Sequence, residues 1–144
     1  MATVKDLLKE KYTQVWYVTP SSTVLDALKL MAEQKIGAVL VVEAGKIVGI
    51  FSERDFARKA ADGTASLQTP VNDLMVKAVY YVTPEQSVES CMALMTAKRF
   101  RHLPVLDGDK LVGVISIGDV VKQLMLEKDM TIQSLEDYIW VHMI

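Results

Sequence analysis

Two short polar signatures hold the residues best suited to chemistry. Gly49, Ser52 and Asp55 form G-x-x-S-x-x-D, and Gly113, Ser116 and Asp119 repeat it 64 residues later. Each glycine removes a side chain beside a buried strand and lets another group approach the backbone. Each serine stands where a helix is expected to begin, and each aspartate follows three residues on. Two kinds of chemistry fit this spacing. S-x-x-D is a capping-box pattern, in which the hydroxyl accepts a helix amide and the acid reaches back to the cap. The same hydroxyl at a helix N-terminus suits a phosphate, and an ionised carboxylate suits the paired hydroxyls of a ribose. Spacing alone leaves both readings open.

The elements that position these signatures are themselves duplicated. Residues 17–56 and 81–120 align without a gap, sharing Thr19/Thr83, Pro20/Pro84, Val24/Val88, Met31/Met95 and Lys46/Lys110 besides the signatures. The apolar periodicity predicts, in each copy, a short strand ended by proline, a helix, two buried strands joined as a hairpin, and a second helix. The strands are expected at residues 15–18, 38–42 and 47–51, then at 79–82, 102–106 and 111–115. The first long helix is capped at Thr23, and Gly37 is its expected left-handed exit. A short helix over residues 3–9 precedes the first copy. Val71-Asn72-Asp73-Leu74-Met75 echoes its Val4-Lys5-Asp6-Leu7-Leu8 ahead of the second. The expected class is α/β, of the α+β type: a tandem pair of β-α-β-β-α repeats about a pseudo-twofold axis, forming one module. The expected division is 1–66 for the first repeat with its lead-in helix, 67–124 for the second and 125–144 for a helical extension. The apolar end of that extension packs on its own module or makes a subunit contact.

Composition narrows the function classes. A chain of 144 residues is one domain or two small halves, and a repeat this short buries its apolar face against the other copy. The net charge of −2 gives no basic footprint for nucleic acid. The charged start lacks a signal-peptide core, and the most apolar stretch, 36–51, is interrupted by Glu43 and Lys46, so no membrane span is expected. Cys91, the single cysteine, sits on an apolar helix face as an inert thiol. This fits a reducing cytoplasm. His102 and His142 have no further Cys or His to complete a structural zinc site. No nucleophile signature, P-loop or dinucleotide fingerprint occurs, and nothing places Asp55 and Asp119 at a scissile bond. Catalysis is not expected.

The ordered set of V-x-D-L-M at 71–75, V-T-P in both copies, IGAVLVV at 36–42, RHLPV at 101–105, GIFSERD and GVISIGD resembles a CBS-domain pair, or Bateman module, over residues 4–122. That family senses adenosine compounds. The resemblance implies that Asp55 and Asp119 hold ribose hydroxyls, that Ser52 and Ser116 reach phosphate or ribose, and that Thr19-Pro20 and Thr83-Pro84 line the adenosine pocket. It makes Ile36, Ala38, Val39, Ile50, Phe100, Leu103 and Val114 walls of the base pocket. Gly37, Gly49, Gly113 and Pro104 complete the candidate lining. The copies differ. Arg54 faces Gly118 in the alignment, and Lys98, Arg99, Arg101 and His102 replace Gln34, Lys35, Gly37 and Ala38. Such a basic cluster is a solvated face or, beside a nucleotide, a phosphate clamp. The implied function is a stand-alone, non-catalytic regulatory module. It would bind AMP, ADP, ATP or NAD in clefts between repeats, form a homodimer and signal to an effector protein in trans. Alternatives are a ligand-free adaptor and, more remotely, binding of S-adenosylmethionine or of nucleic acid through Lys98, Arg99 and Arg101.

Overall fold

The computed structural model describes residues 2–9 and 14–128. In chain order the elements are α1 (Val4–Lys9), β1 (Tyr17–Val18), α2 (Val24–Gln34), β2 (Ala38–Glu43), β3 (Lys46–Ser52), α3 (Glu53–Ala61), a single 3-10 turn at Val71–Asp73, α4 (Val88–Lys98), β4 (His102–Asp107), β5 (Lys110–Ser116) and α5 (Ile117–Glu127). The expected mixed α/β class is what folds. The extension beyond α5, with His142, lies outside the described residues.

Local chemistry sets the helix starts. Thr23 caps α2 by accepting from the Asp26 amide at 3.1 Å, while Asp26 accepts from the Thr23 amide at 3.1 Å. Ser87 caps α4 in the simpler way, accepting from the Ser90 amide. Helical spacing then buries Val24, Ala27 and Met31 in one repeat and Val88, Cys91 and Met95 in the other. The helix exits differ from expectation. The left-handed residues are Lys35 (φ 55°) and Arg99 (φ 58°), not Gly37. In each, the next amide, Ile36 or Phe100, returns to the carbonyl of Met31 or Met95, and both apolar residues pack on the core. That closure offsets the ~1 kcal/mol cost of a left-handed residue other than glycine.

The chain forms two compact units. One contains residues 16–79; the other combines the described residues of 1–15 with those of 80–144. The grouping in space differs from the order along the chain. The lead-in α1 precedes the first repeat in sequence, yet Val4 and Leu7 are buried in the second-repeat core with Val82, Val105, Ile115 and Val120. The echoing segment gives Val71 and Leu74 to the first-repeat core with Val39, Val41 and Phe51. Each lead-in has a notch made by a glycine. A Cβ on Gly113 would lie 2.7 Å from Leu8 Cδ2, and one on Gly49 would lie 2.8 Å from Met75 Cγ. The group that approaches each glycine is therefore a core side chain of the same unit.

In the first-repeat unit β1 pairs parallel to β2, and β2 pairs antiparallel to β3. Among the described residues the second-repeat unit has only the β4–β5 hairpin, and the strand expected at 79–82 shrinks to a bridge between Val82 and Val105. Proline explains the loss. The Val82 amide donates to the Pro104 carbonyl and the Leu106 amide to the Val82 carbonyl, so that edge of β4 faces residues 80–82. Pro104 has no N–H to extend the ladder, whereas its counterpart Leu40 keeps one.

Two outcomes test this packing. Gly49→Ala is expected to push Met75 aside and destabilise the protein by about 1–3 kcal/mol, with part of the loss recovered in the Gly49→Ala/Met75→Ala double variant, whereas Gly113→Ala meets only the methyl end of Leu8 and should cost less. Denaturant unfolding measures each, and a neutral Gly49→Ala variant would reject the notch. Burial also pushes the Cys91 thiol above its ordinary value of 9.0. The unfolded thiol then ionises first, so stability is constant below that pH and falls as pH rises towards the folded value. Native Cys91 should label slowly with a thiol reagent and rapidly in denaturant; rapid native labelling would contradict its burial.

Candidate functional site

Both signatures fold into full capping boxes at strand–helix junctions. Ser52 ends β3 and caps α3: its amide and hydroxyl donate to Asp55 Oδ2 at 3.0 and 2.9 Å, and the Asp55 amide returns to Ser52 Oγ at 3.2 Å. Ser116 ends β5 and caps α5, with its amide 2.8 Å from Asp119 Oδ2 and the Asp119 amide 3.2 Å from Ser116 Oγ. The Glu53 amide donates to the Gly37 carbonyl at 3.1 Å, and the Ile117 amide to the Arg101 carbonyl at 2.8 Å. Three of the first four amides at each helix start are thus already satisfied, which weakens the helix terminus as an anion site and leaves side chains to do that work. Capping does not consume Asp55 entirely. Among the described residues its Oδ1 has no hydrogen-bond partner, and the residue is only part-buried.

Strand register sorts the other candidates by face. Ala38 pairs with Ser52 and Leu40 with Ile50; His102 pairs with Ser116 and Pro104 with Val114. These residues share the face of the signature serines, because side chains alternate along a strand. Val39 pairs with Phe51 and Leu103 with Ile115 on the opposite face, inside the cores. Val39 and Leu103 are therefore core residues of their own units, a correction to their expected place in a base-pocket wall. Gly49 and Gly113 lie on that core face too. Ile36 and Phe100 are half-buried beside it, at the loops leading into β2 and β4.

The threonine–proline pairs sit elsewhere. Val18 pairs with Val41, which puts Thr19 level with Val42, four residues along the strand from the Ala38–Ser52 pair, or roughly 13 Å. Val82 and Val105 place Thr83 likewise relative to Ser116. A single unit does not bring its threonine to its own aspartate. The Thr19 amide bonds Ser22 Oγ at 3.1 Å and the Thr83 amide bonds Gln86 Oε1 at 2.9 Å. Pro20 and Pro84 present carbonyls to the lead-ins, accepting from the Asn72 and Lys5 amides at 3.1 and 2.9 Å. The lead-ins thus brace the loops that carry these candidates.

The cationic candidates are exposed. Arg54 stands in the first turn of α3, Arg99 is the left-handed cap of α4, and Arg101 precedes half-buried His102. Beside them lies a group that the motif reading did not include. The Tyr80 ring is 5.4 Å from that of Phe100, centre to centre, and Lys98 Nζ lies 5.4 Å above the Tyr80 ring. The signal was present in sequence as an aromatic pair before each V-T-P, Trp16-Tyr17 and Tyr80-Tyr81. Among the described residues, no three His, Cys, Asp or Glu side chains gather as a metal site, and no helix is long and apolar enough to cross a membrane.

Comparison with known proteins identifies the fold. The chain is 38% identical over 147 residues to the mitochondrial CBS domain-containing protein CBSX3 of Arabidopsis thaliana, covering 95% of this chain and 71% of that one. A CBS-domain chain from Burkholderia ambifaria matches at 50% identity with a TM-score of 0.85, covering 91% and 99%. CBSX2 in complex with AMP matches at 29% identity with a TM-score of 0.71, covering 89% and 99%. The CBS domain profile itself matches residues 4–62 and 71–126, one match per repeat, and the chain belongs to the CBS-domain family.

Proposed function

We propose that this chain is a non-catalytic regulatory module that binds an adenine nucleotide and reports its level to a protein partner. The observation that carries the reading is the pair of strand–helix junctions. Each fixes a carboxylate and a hydroxyl at a helix start, in a chain whose relative CBSX2 is known in complex with AMP. Asp55 and Asp119 hold ribose hydroxyls, and Ser52 and Ser116 assist them. Arg54, Arg99, Arg101 and His102 meet phosphate. Thr19, Pro20, Thr83, Pro84, Ile36, Gly37, Ala38, Phe100 and Pro104 contribute to the adenosine surroundings. AMP, ADP, ATP and NAD share the adenosine part that this set recognises. The module acts as a cytoplasmic homodimer, and its effector is supplied in trans.

Ligand-stripped protein titrated calorimetrically with AMP, ATP and NAD is expected to give saturable heat with at least one of them. Asp55→Ala and Asp119→Ala should weaken that binding and also lower stability by roughly 1 kcal/mol each through the lost cap. Silence with all three nucleotides would reject the nucleotide reading in favour of a ligand-free adaptor. Variants that lose stability yet keep full affinity would leave the carboxylates as caps alone.

A further inference from the structure

Tyr80 is a large aromatic residue left 42% exposed at the edge of the second-repeat sheet. Its surroundings differ from an ordinary solvent-facing ring. Phe100 approaches it at 5.4 Å with the rings tilted 43°, and Phe100 is anchored by packing on the second-repeat core and by its amide bond to Met95. Lys98 lies over the ring, while Arg99 and Arg101 flank Phe100 in sequence. The Arg101 carbonyl accepts the first amide of α5, so this loop is tied to the junction that carries Ser116. Register puts Tyr80 at the same end of the sheet. Val82 bridges Val105, so Tyr80 is level with Leu103, next to the His102–Ser116 pair. An accessible ring, three cations and a capped serine therefore meet at one end of one sheet. In the other unit the counterparts of Lys98, Phe100 and Arg101 are Gln34, Ile36 and Gly37, which supply neither a braced ring pair nor a cation cluster.

We propose that Tyr80, braced by Phe100, is the stacking platform for the purine base of the nucleotide, and that Lys98 leaves the ring to meet its phosphate. This rests on the nucleotide-binding reading above and makes Tyr80 a specificity-determining residue of that function. An exposed cation–π contact is weak, so displacing Lys98 from the ring costs little, and a phosphate is a better partner for its ammonium. Stacking on an aromatic ring is tolerant of base identity. Selection of adenine over other bases then falls to backbone groups, while Tyr80 separates nucleotides from sugar phosphates that have no base.

The test is calorimetric titration of the full chain with AMP and with ribose 5-phosphate, using wild type, Tyr80→Ala, Tyr80→Phe and Lys98→Gln. Tyr80→Ala is expected to weaken AMP roughly 5- to 100-fold and to leave ribose 5-phosphate unchanged, while Tyr80→Phe keeps wild-type AMP affinity. Lys98→Gln should reduce the salt dependence of AMP binding. Thermal unfolding of Tyr80→Ala within a few degrees of wild type separates lost stacking from lost fold; if it does unfold, Tyr80→Leu, which keeps apolar cover over Phe100 without an aromatic face, must show the same AMP-selective loss. If wild type binds AMP and Tyr80→Ala binds it equally well, the platform is overturned and the nucleotide reading stands. An equal loss for AMP and ribose 5-phosphate also overturns it. If wild type binds no adenine nucleotide, the reading beneath it fails instead.

Discussion

Everything at the candidate site hangs on a strand that must stop and a helix that must start at the same serine. Ser52 is both the last residue of β3, paired with Ala38, and the cap of α3. Ser116 does the same between β5 and α5. A chain cannot turn from ladder to helix without leaving amides unpaired, and those amides set the chemistry of the junction. Here the aspartate three residues on takes the cap amide, the serine hydroxyl takes the aspartate amide, and a carbonyl from the neighbouring loop takes the first of the two between. The carboxylate is thereby fixed in place before any ligand arrives. One carboxylate oxygen of Asp55 stays outside the cap, so capping does not by itself exclude binding by the same residue.

The legible parts of the fold were those whose causes are local. Thr23-x-x-Asp26, Ser52-x-x-Asp55 and Ser116-x-x-Asp119 act across three residues, and all three form boxes. The hairpins follow from apolar runs flanking short polar turns. The misreadings came from causes that act at a distance. The echo of Val4–Leu8 in Val71–Met75 was visible, but it does not tell which core each segment enters; only packing puts Leu8 against Gly113 and Met75 against Gly49. Both glycines looked like openings for an outside group because the side chain that fills them comes from far along the chain. Val39 and Leu103 were misplaced for a different reason. A continuous apolar run carries no alternation, so its two faces cannot be told apart until the pairing register is known. Gly37 is not the helix exit because a closing bond and the packing of half-buried Ile36 make Lys35 acceptable where glycine would ordinarily stand.

The two repeats diverge where the shared skeleton does not constrain them. Residues that cap, notch or fill a core recur in both: serine, aspartate, glycine and the valines. Residues from the end of the first long helix to the hairpin do not: Lys98, Phe100 and Arg101 stand where the first repeat has Gln34, Ile36 and Gly37, and Arg99 where it has Lys35. The loop conformation is nevertheless the same, with a left-handed residue at 35 and at 99 and the same amide return to methionine. Side-chain chemistry has therefore changed on an unchanged backbone. A solvated loop tolerates such change at little cost in stability, so stability alone does not account for three cations and an aromatic residue on one of its two copies.

On the proposed reading, occupancy has to become a change that a partner can read, and in the second-repeat unit the nearest element to do so is α1. The second-repeat lead-in holds the unit through several contacts: its backbone bonds Pro84 and Gln86, Val4 and Leu7 enter the core, and Leu8 packs on β5 at Gly113. β5 ends three residues later at Ser116. A ligand drawing on Ser116 and Asp119 therefore acts on a strand whose packing partner is α1, and α1 in turn holds the loop that carries Thr83. With only six residues, α1 has little helical stability of its own and depends on that packing. Its position therefore depends on the β5 face against which Leu8 packs. The size of the shift is bounded by how much better the ligand binds one arrangement than the other, so a tightly bound nucleotide that favours neither would signal nothing.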